Sequence, residues 1–228
     1  MEKLATLIGR ALEPQTHWQA SWSKVDMLAE AADLMSCLML LEPRFEYKPG
    51  DTTSKLMASM IAWVWRAPQY NYLGLDFDRG LWLMGPLGTG KTTLLLGWRR
   101  YQARVCARYM VKPRRDDYRL TTLYMSASEI SNAYAADGAS GLKDVLSPNY
   151  NVIIDEMGRE PCPANSYGTK LNVIQHVLQV RYDHRRECVT HVTTNMGLSD
   201  VKERYGAYVA DRCKEMFNFI RLDGGSKR

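Results

Sequence analysis

The chain has 228 residues, 46% of them hydrophobic and 24% charged, a balance that excludes wholesale disorder and fits one or two domains. Its apolar runs fall far short of the ~20 residues of a membrane span, and Met1-Glu2-Lys3 opens no secretory signal, so the expectation is a cytoplasmic protein with no membrane partner. The formal charge of +5 allows a nucleic-acid partner without requiring one, and five dispersed cysteines with no CxxC pair argue against a disulfide framework or a zinc site.

In chain order, residues 24–41 carry Val25, Leu28, Ala29, Ala32, Met35 and Met39 at helical spacing, and Pro43 ends that helix. Pro49-Gly50-Asp51 is a turn, after which Thr52 or Thr53 is placed to cap a second helix running to about Arg66. A boundary near 43–51 divides the chain into a helical N-terminal segment, 1–44, and a larger domain, 45–228. Trp18 and Trp22 stand at i and i+4 in the first segment and suit either a core or an interface. The pattern changes from residue 79. An all-apolar strand at 81–84 leads to a glycine-rich loop and a helix from about Lys91. Residues 121–125, 151–155 and 189–194 read as further strands, with helices over 127–136 and 169–184. Strands alternating with helices predict an α/β fold around a parallel sheet buried on both faces.

Gly85-Pro86-Leu87-Gly88-Thr89-Gly90-Lys91-Thr92 fits G-x-x-x-x-G-K-[ST], with Thr93 following. Glycines let such a loop curl its N–H groups onto phosphate oxygens, and the helix behind it presents its positive end to the same anion. Lys91 is placed to reach the β- and γ-phosphates, and the Thr92 hydroxyl to ligate Mg²⁺. The strand 152–156 ends in Asp155 and Glu156, whose side chains point in different directions because they are strand neighbours. That suits Asp155 to the Mg²⁺ shell and Glu156 to deprotonating a water. Asp155-Glu156-Met157-Gly158 also fits the D-x-x-G of GTPases, but the Asn-Lys pair that guanine recognition needs is absent from the chain. Asn195, at the tip of the 189–194 strand, is a candidate for bonding the γ-phosphate or the attacking water; an ordinary chain turn is the other reading. The block 97–119 holds eight Lys and Arg residues against Asp116 and Asp117. Interleaved with Trp98, Tyr101, Tyr109 and Tyr118, it suits a single-stranded phosphate backbone with stacked bases, or else a solvated helix.

The 85–92 loop, the 152–156 strand with Gly158, Thr193-Thr194-Asn195, and Arg204-Tyr205-Gly206 through Ala210-Asp211-Arg212 occur in the order seen in AAA+ ATPases of the DnaC/IstB group. Over about residues 45–228 the chain resembles that group, whose members are replicative helicase loaders and transposition helper ATPases. The resemblance implies a three-layer P-loop AAA+ core without a C-terminal helical lid, using ATP and Mg²⁺. It implies Lys91 and Thr92 as Walker A, Asp155 and Glu156 as Walker B, and Asn195 as sensor 1. Arg212 matches an arginine finger entering a neighbouring subunit's site in a homo-oligomer, with Arg204 as the other candidate. Ser226-Lys227-Arg228 fits the group's S-x-R tail. The resemblance also makes 1–44 a docking segment for a replicative helicase, packing onto the ATPase core being the alternative. The implied function is an ATP-hydrolysing helicase loader that holds single-stranded DNA. A transposition helper ATPase and a small-molecule P-loop kinase are the other readings.

Overall fold

The computed structural model describes residues 26–108 and 122–223. Trp18, Trp22, Lys112, Arg114, Arg115, Arg119, Tyr109, Tyr118 and the 226–228 tail lie outside the described residues. Asp26 caps α1 (Met27–Met39) through its carboxylate, which accepts the Leu28 N–H at 3.0 Å. Asp51, not Thr52 or Thr53, caps α2 (Thr52–Trp65), accepting the Ser54 N–H at 2.7 Å. The two threonines already lie within the first turn, where the chain is helical.

β1 (Gly80–Met84) leads into α3 (Lys91–Arg108). β2 (Thr122–Ser126), α4 (Ala127–Asp137) and a short α5 (Lys143–Leu146) precede β3 (Asn151–Met157). A hairpin of β4 (Ala164–Ser166) and β5 (Thr169–Leu171) follows, then α6 (Val173–Asp183) and β6 (Thr190–Thr194). α7 (Leu198–Tyr205), α8 (Ala207–Met216) and β7 (Phe217–Arg221) complete the described chain. The helix expected over 169–184 begins only at Val173, because Asn172 caps it and the residues before it pair as a hairpin strand. β7 was not anticipated from sequence.

The five strands β2-β3-β6-β1-β7 pair in that order, all in parallel, as the α/β reading requires. Leu81, Leu83 and Ile153 face α1, α2 and α3, while Trp82, Ile154 and Val192 face α4, α6, α7 and α8, giving three layers. α1 belongs to this packing. A Cβ on Gly97 of α3 would lie 2.4 Å from Leu38 Cδ2, so the two helices touch where only glycine fits. The buried Glu30 carboxylate accepts the Tyr101 hydroxyl at 2.6 Å, and that hydroxyl accepts the Trp65 indole N–H at 2.7 Å.

The basic block is partly consumed by the fold. Arg104 pairs with Asp33 at 2.7 Å, Arg108 bridges Glu30 and Asp33, and Arg99 donates to the Thr122 carbonyl at 2.6 Å. Trp98 and Tyr101 are fully buried, which corrects the expectation that they stack on bases: helical spacing turned them into the core instead. Among the described residues no helix is long and apolar enough to cross a membrane.

His191 lies within the sheet core, its Nδ1 accepting the Leu81 N–H at 3.1 Å, its ring edge-on to Trp63 and Trp98. Burial, with Arg181 adding to it, holds its pKa down to about 3. The unfolded chain therefore binds a proton below about pH 6.5 that the native state refuses. Stability should fall by up to about 1.4 kcal/mol per pH unit from pH 6.5 toward 4 through this group alone. Urea unfolding at several pH values should show this slope in the wild type and a flatter one in His191→Asn.

Candidate functional site

Parallel sheets bind ligands beyond the carboxyl ends of their strands, where the strand order reverses. Here the ends of β1, β3 and β6 open into a cleft of about 220 Å³. Leu87, Gly88, Gly90, Lys91, Thr92 and Thr93 line one side, and Glu156, Gly158, Arg159 and Asn195 the other. The cleft thus gathers most of the residues the sequence singled out.

The loop from Gly85 to Gly90 is anchored from beneath. The Leu222 N–H donates to the Met84 carbonyl at 2.8 Å, and Gly85, at φ +148°, passes so close that a Cβ would sit 2.2 Å from the Leu222 carbonyl oxygen. Thr89 Oγ1 donates to the Pro86 carbonyl at 3.0 Å, tightening the curl. Lys91 Nζ donates to the carbonyls of Gly85 and Pro86 at 2.6 and 2.7 Å and so stands at the loop's centre. Burial lowers its pKa, and the Asp155 carboxylate opposes that shift.

Asp155 is buried, and three hydroxyls converge on it. Thr92 Oγ1 donates to Oδ1 at 2.9 Å, Thr193 Oγ1 donates to the same oxygen, and Tyr124 OH donates to Oδ2 at 2.8 Å. Burial and the bond to Asp155 raise the Tyr124 pKa, so this phenol stays protonated and donating. The pairing of β3 with β6 slips between Ile154 and Met157, leaving an extra residue on β3. Glu156 occupies this bulge at φ +53°, a conformation that favours glycine. Its N–H, lost to the ladder, donates to Thr193 Oγ1 at 3.0 Å, and its side chain reaches solvent at the cleft while Asp155 stays inside. Asn195 follows β6 as an exposed cleft residue. Its turn is set by Thr194 Oγ1, which donates to the Met157 carbonyl at 2.6 Å and accepts the Met196 N–H at 3.0 Å.

Three contributing side chains were not foreseen, Tyr124, Arg159 and Glu160, and Thr193 was singled out only as part of the Thr193-Thr194-Asn195 run. Arg159 Nη1 donates to Glu156 Oε1 at 2.6 Å. The Glu160 carboxylate is buried and accepts the Gly158 N–H at 2.8 Å and the Tyr205 hydroxyl at 2.5 Å. Arg204 is tied to the same group, donating from Nε to Glu160 Oε1 at 3.2 Å. Arg212 lies apart from the cleft, its guanidinium carbon 3.7 Å from the Tyr208 ring centre and 4.2 Å from that of Tyr182.

The donor set fits magnesium. The Thr92 hydroxyl and the Asp155 carboxylate are hard oxygen ligands side by side, and Mg²⁺ takes one or two such groups with phosphate and water completing its shell. Among the described residues no three His, Cys, Asp or Glu gather into an all-protein metal cage.

No protein-family profile matches the chain, and no curated protein matches it. Solved structures do. The DnaC helicase loader aligns over 78% of this chain and 94% of its own at a TM-score of 0.52 and 18% identity. DnaI aligns over 85% and 93% at a TM-score of 0.54 and 19% identity. The ORC1 protein of Aeropyrum pernix, solved in complex with DNA, aligns over 83% of this chain but 49% of its own, with a TM-score of 0.50 and 18% identity. The chain therefore shares the α/β P-loop fold of DnaC and DnaI.

Gly158 tests how tightly the turn after β3 is built. It adopts φ +103°, and a Cβ there would meet Met196 Sδ at 2.3 Å. Gly158→Ala should cost about 1–3 kcal/mol in urea unfolding. Adding Met196→Ala should recover the part due to the clash and leave the backbone strain.

Proposed function

We propose that the chain is a Mg²⁺-dependent ATPase of the DnaC/IstB type that serves as a replicative helicase loader. The observation that carries this reading is the cleft itself. A lysine at the centre of a phosphate loop, a threonine bonded to a buried aspartate, and a glutamate turned by a bulge to the open side meet within one pocket.

In this reading the N–H groups of 85–92 and the Lys91 ammonium bind the phosphates of ATP. Lys91 must exchange its two carbonyl partners for phosphate oxygens, a favourable trade because its donors then meet full negative charge. Thr92 and Asp155 would hold Mg²⁺, which would supply charge neutralisation at the phosphates. Tyr124 and Thr193 orient the Asp155 carboxylate for this task. Glu156 takes the proton of the attacking water, and Asn195 positions that water or the γ-phosphate.

Arg212 acts on a neighbouring subunit's nucleotide. Its distance from its own cleft supports an action in trans, and two tyrosine rings hold its guanidinium at the surface of α8. Arg204, bound to the buried Glu160, is the weaker candidate. The loader role is supported by the fold shared with DnaC and DnaI. The segment 1–44 docks the helicase, and Lys112, Arg114 and Arg115 supply contacts to single-stranded DNA. Recovery of a transposase instead of a helicase from source-cell pull-down with the full chain would move the assignment to the transposition helper class.

Glu156→Gln should bind ATP with wild-type affinity and hydrolyse it about 10²–10⁴-fold more slowly in a steady-state phosphate-release assay. Asp155→Asn should weaken binding only when Mg²⁺ is present; identical behaviour of the two variants refutes the division of roles. Arg212→Ala should bind ATP and lose hydrolysis, and mixing it with Lys91→Ala protein should restore part of the rate. The Lys91→Ala subunit offers the finger and the Arg212→Ala subunit the intact pocket, so a mixture without activity rules out the action in trans. Replacing Lys112, Arg114 and Arg115 with Ala should reduce the log–log salt slope of single-stranded DNA binding by roughly 2 without affecting ATP binding.

A further inference from the structure

An arginine that acts on another subunit's phosphate needs its N–H donors unspent, so its long side chain must be held by something other than those donors. Arg212 is held in that way. On α8 it lies in a stripe of Tyr208, Arg212 and Glu215, spaced i, i+4 and i+7, beside the buried stripe of Val209, Cys213 and Met216. Its guanidinium carbon is 3.7 Å from the centre of the Tyr208 ring and 4.2 Å from that of Tyr182, near the end of α6. Among the described residues Arg212 donates no hydrogen bond, and its nearest carboxylate oxygen, Asp183 Oδ1, is 4.0 Å from Nη1. The Tyr182 ring is itself fixed. Its hydroxyl donates to Glu215 Oε2 at 2.9 Å, and the Arg185 guanidinium carbon lies 4.0 Å from the same ring centre. Tyr208, the nearer ring, is 57% exposed, so its substitution leaves the core untouched.

We propose that Tyr208 and Tyr182 are positioning residues for Arg212: their rings carry its guanidinium, keep it off Asp183 and leave its N–H donors for the γ-phosphate bound by a neighbouring copy of the chain. This inference rests on the reading of Arg212 as the finger. The two ways of holding the side chain are not equivalent. A close ion pair with Asp183 occupies donors and has to break before each encounter with phosphate. Stacking draws on the ring quadrupole and occupies none of them. The rings also restrict the arginine's rotamers before the subunits meet, so less freedom is lost on contact. Neither ring lines the chain's own nucleotide cleft, so losing one changes kcat in the assembly and leaves ATP affinity alone.

The test uses the full chain carrying Tyr208→Leu, Tyr208→Phe or Arg212→Ala, each alone and mixed with Lys91→Ala protein, with steady-state hydrolysis and equilibrium ATP affinity as readouts. Tyr208→Leu should lower kcat about 3- to 30-fold at unchanged ATP affinity. Tyr208→Phe, which keeps the ring, should stay within about twofold of the wild-type rate. Mixing Tyr208→Leu with Lys91→Ala protein should restore part of the rate, because the Lys91→Ala subunit presents a stacked finger to an intact pocket. Mixing it with Arg212→Ala protein should restore nothing. A wild-type kcat in Tyr208→Leu overturns the proposal, as does an equal loss in Tyr208→Phe, which assigns the effect to the hydroxyl. Weakened ATP affinity, or a Tyr208→Leu defect that Lys91→Ala protein does not relieve, also overturns it by placing the damage in the variant's own pocket. Full hydrolysis by Arg212→Ala is a separate failure: it rejects the finger reading and the stacking with it.

Discussion

Asp155 is where the elements of this molecule are brought into register. A buried carboxylate without partners is expensive, and this one is satisfied by hydroxyls from three directions: Thr92 at the head of α3, Tyr124 on β2 and Thr193 on β6. Each donor sits on an element next to β3 or crossing it, so one anion sets the docking of the phosphate-loop helix against two neighbouring strands. The bulge serves the same constraint. Residue 155 must face inward to meet its donors, residue 156 must face the cleft, and Met157 must return to the inner core, a sequence that the added residue on β3 accommodates.

The arginines show how little the net charge says about where cations are available. Arg181 is 1% exposed and, among the described residues, has no carboxylate partner; it donates to the carbonyls of Val145, Ser147, Tyr150 and Val189 and to Thr190 Oγ1. It ties the amino ends of β3 and β6, far from the cleft. Arg204 is spent on Glu160, and Arg104 and Arg108 on α1. Arg212 alone of these is stacked on two tyrosine rings, with its Nη1 4.0 Å from the Asp183 carboxylate.

That the phosphate loop, the Asp155-Glu156 pair and Asn195 stand at the carboxyl ends of β1, β3 and β6 was legible because each directly follows or ends a short apolar run. The parallel α/β class was legible because β1, β3 and β6 are short apolar runs between helical stretches. The bonds of Tyr124 and Thr193 to Asp155 were not, since their approach depends on β3 lying between β2 and β6, an order that no local pattern records. The hairpin before α6 was hidden because Thr169–Leu171 can continue a helical pattern until Asn172 is seen to cap. Trp98 and Tyr101 looked like partners for bases because charge spacing says nothing about Glu30 and Asp33 waiting on α1 to take up Arg104 and Arg108.

α3 is an unbroken helix of 18 residues. At 1.5 Å per residue it is a rod about 27 Å long. One end is the phosphate loop, where Lys91 and Thr92 begin the helix. The other end is gripped by α1 through Arg104 and Arg108, with Tyr101 and Glu30 a turn inward. Packed interiors deform little, so α3 joins the two ends as one stiff body. In effect it is a strut, with the phosphate loop at one end and α1 clamped to the other.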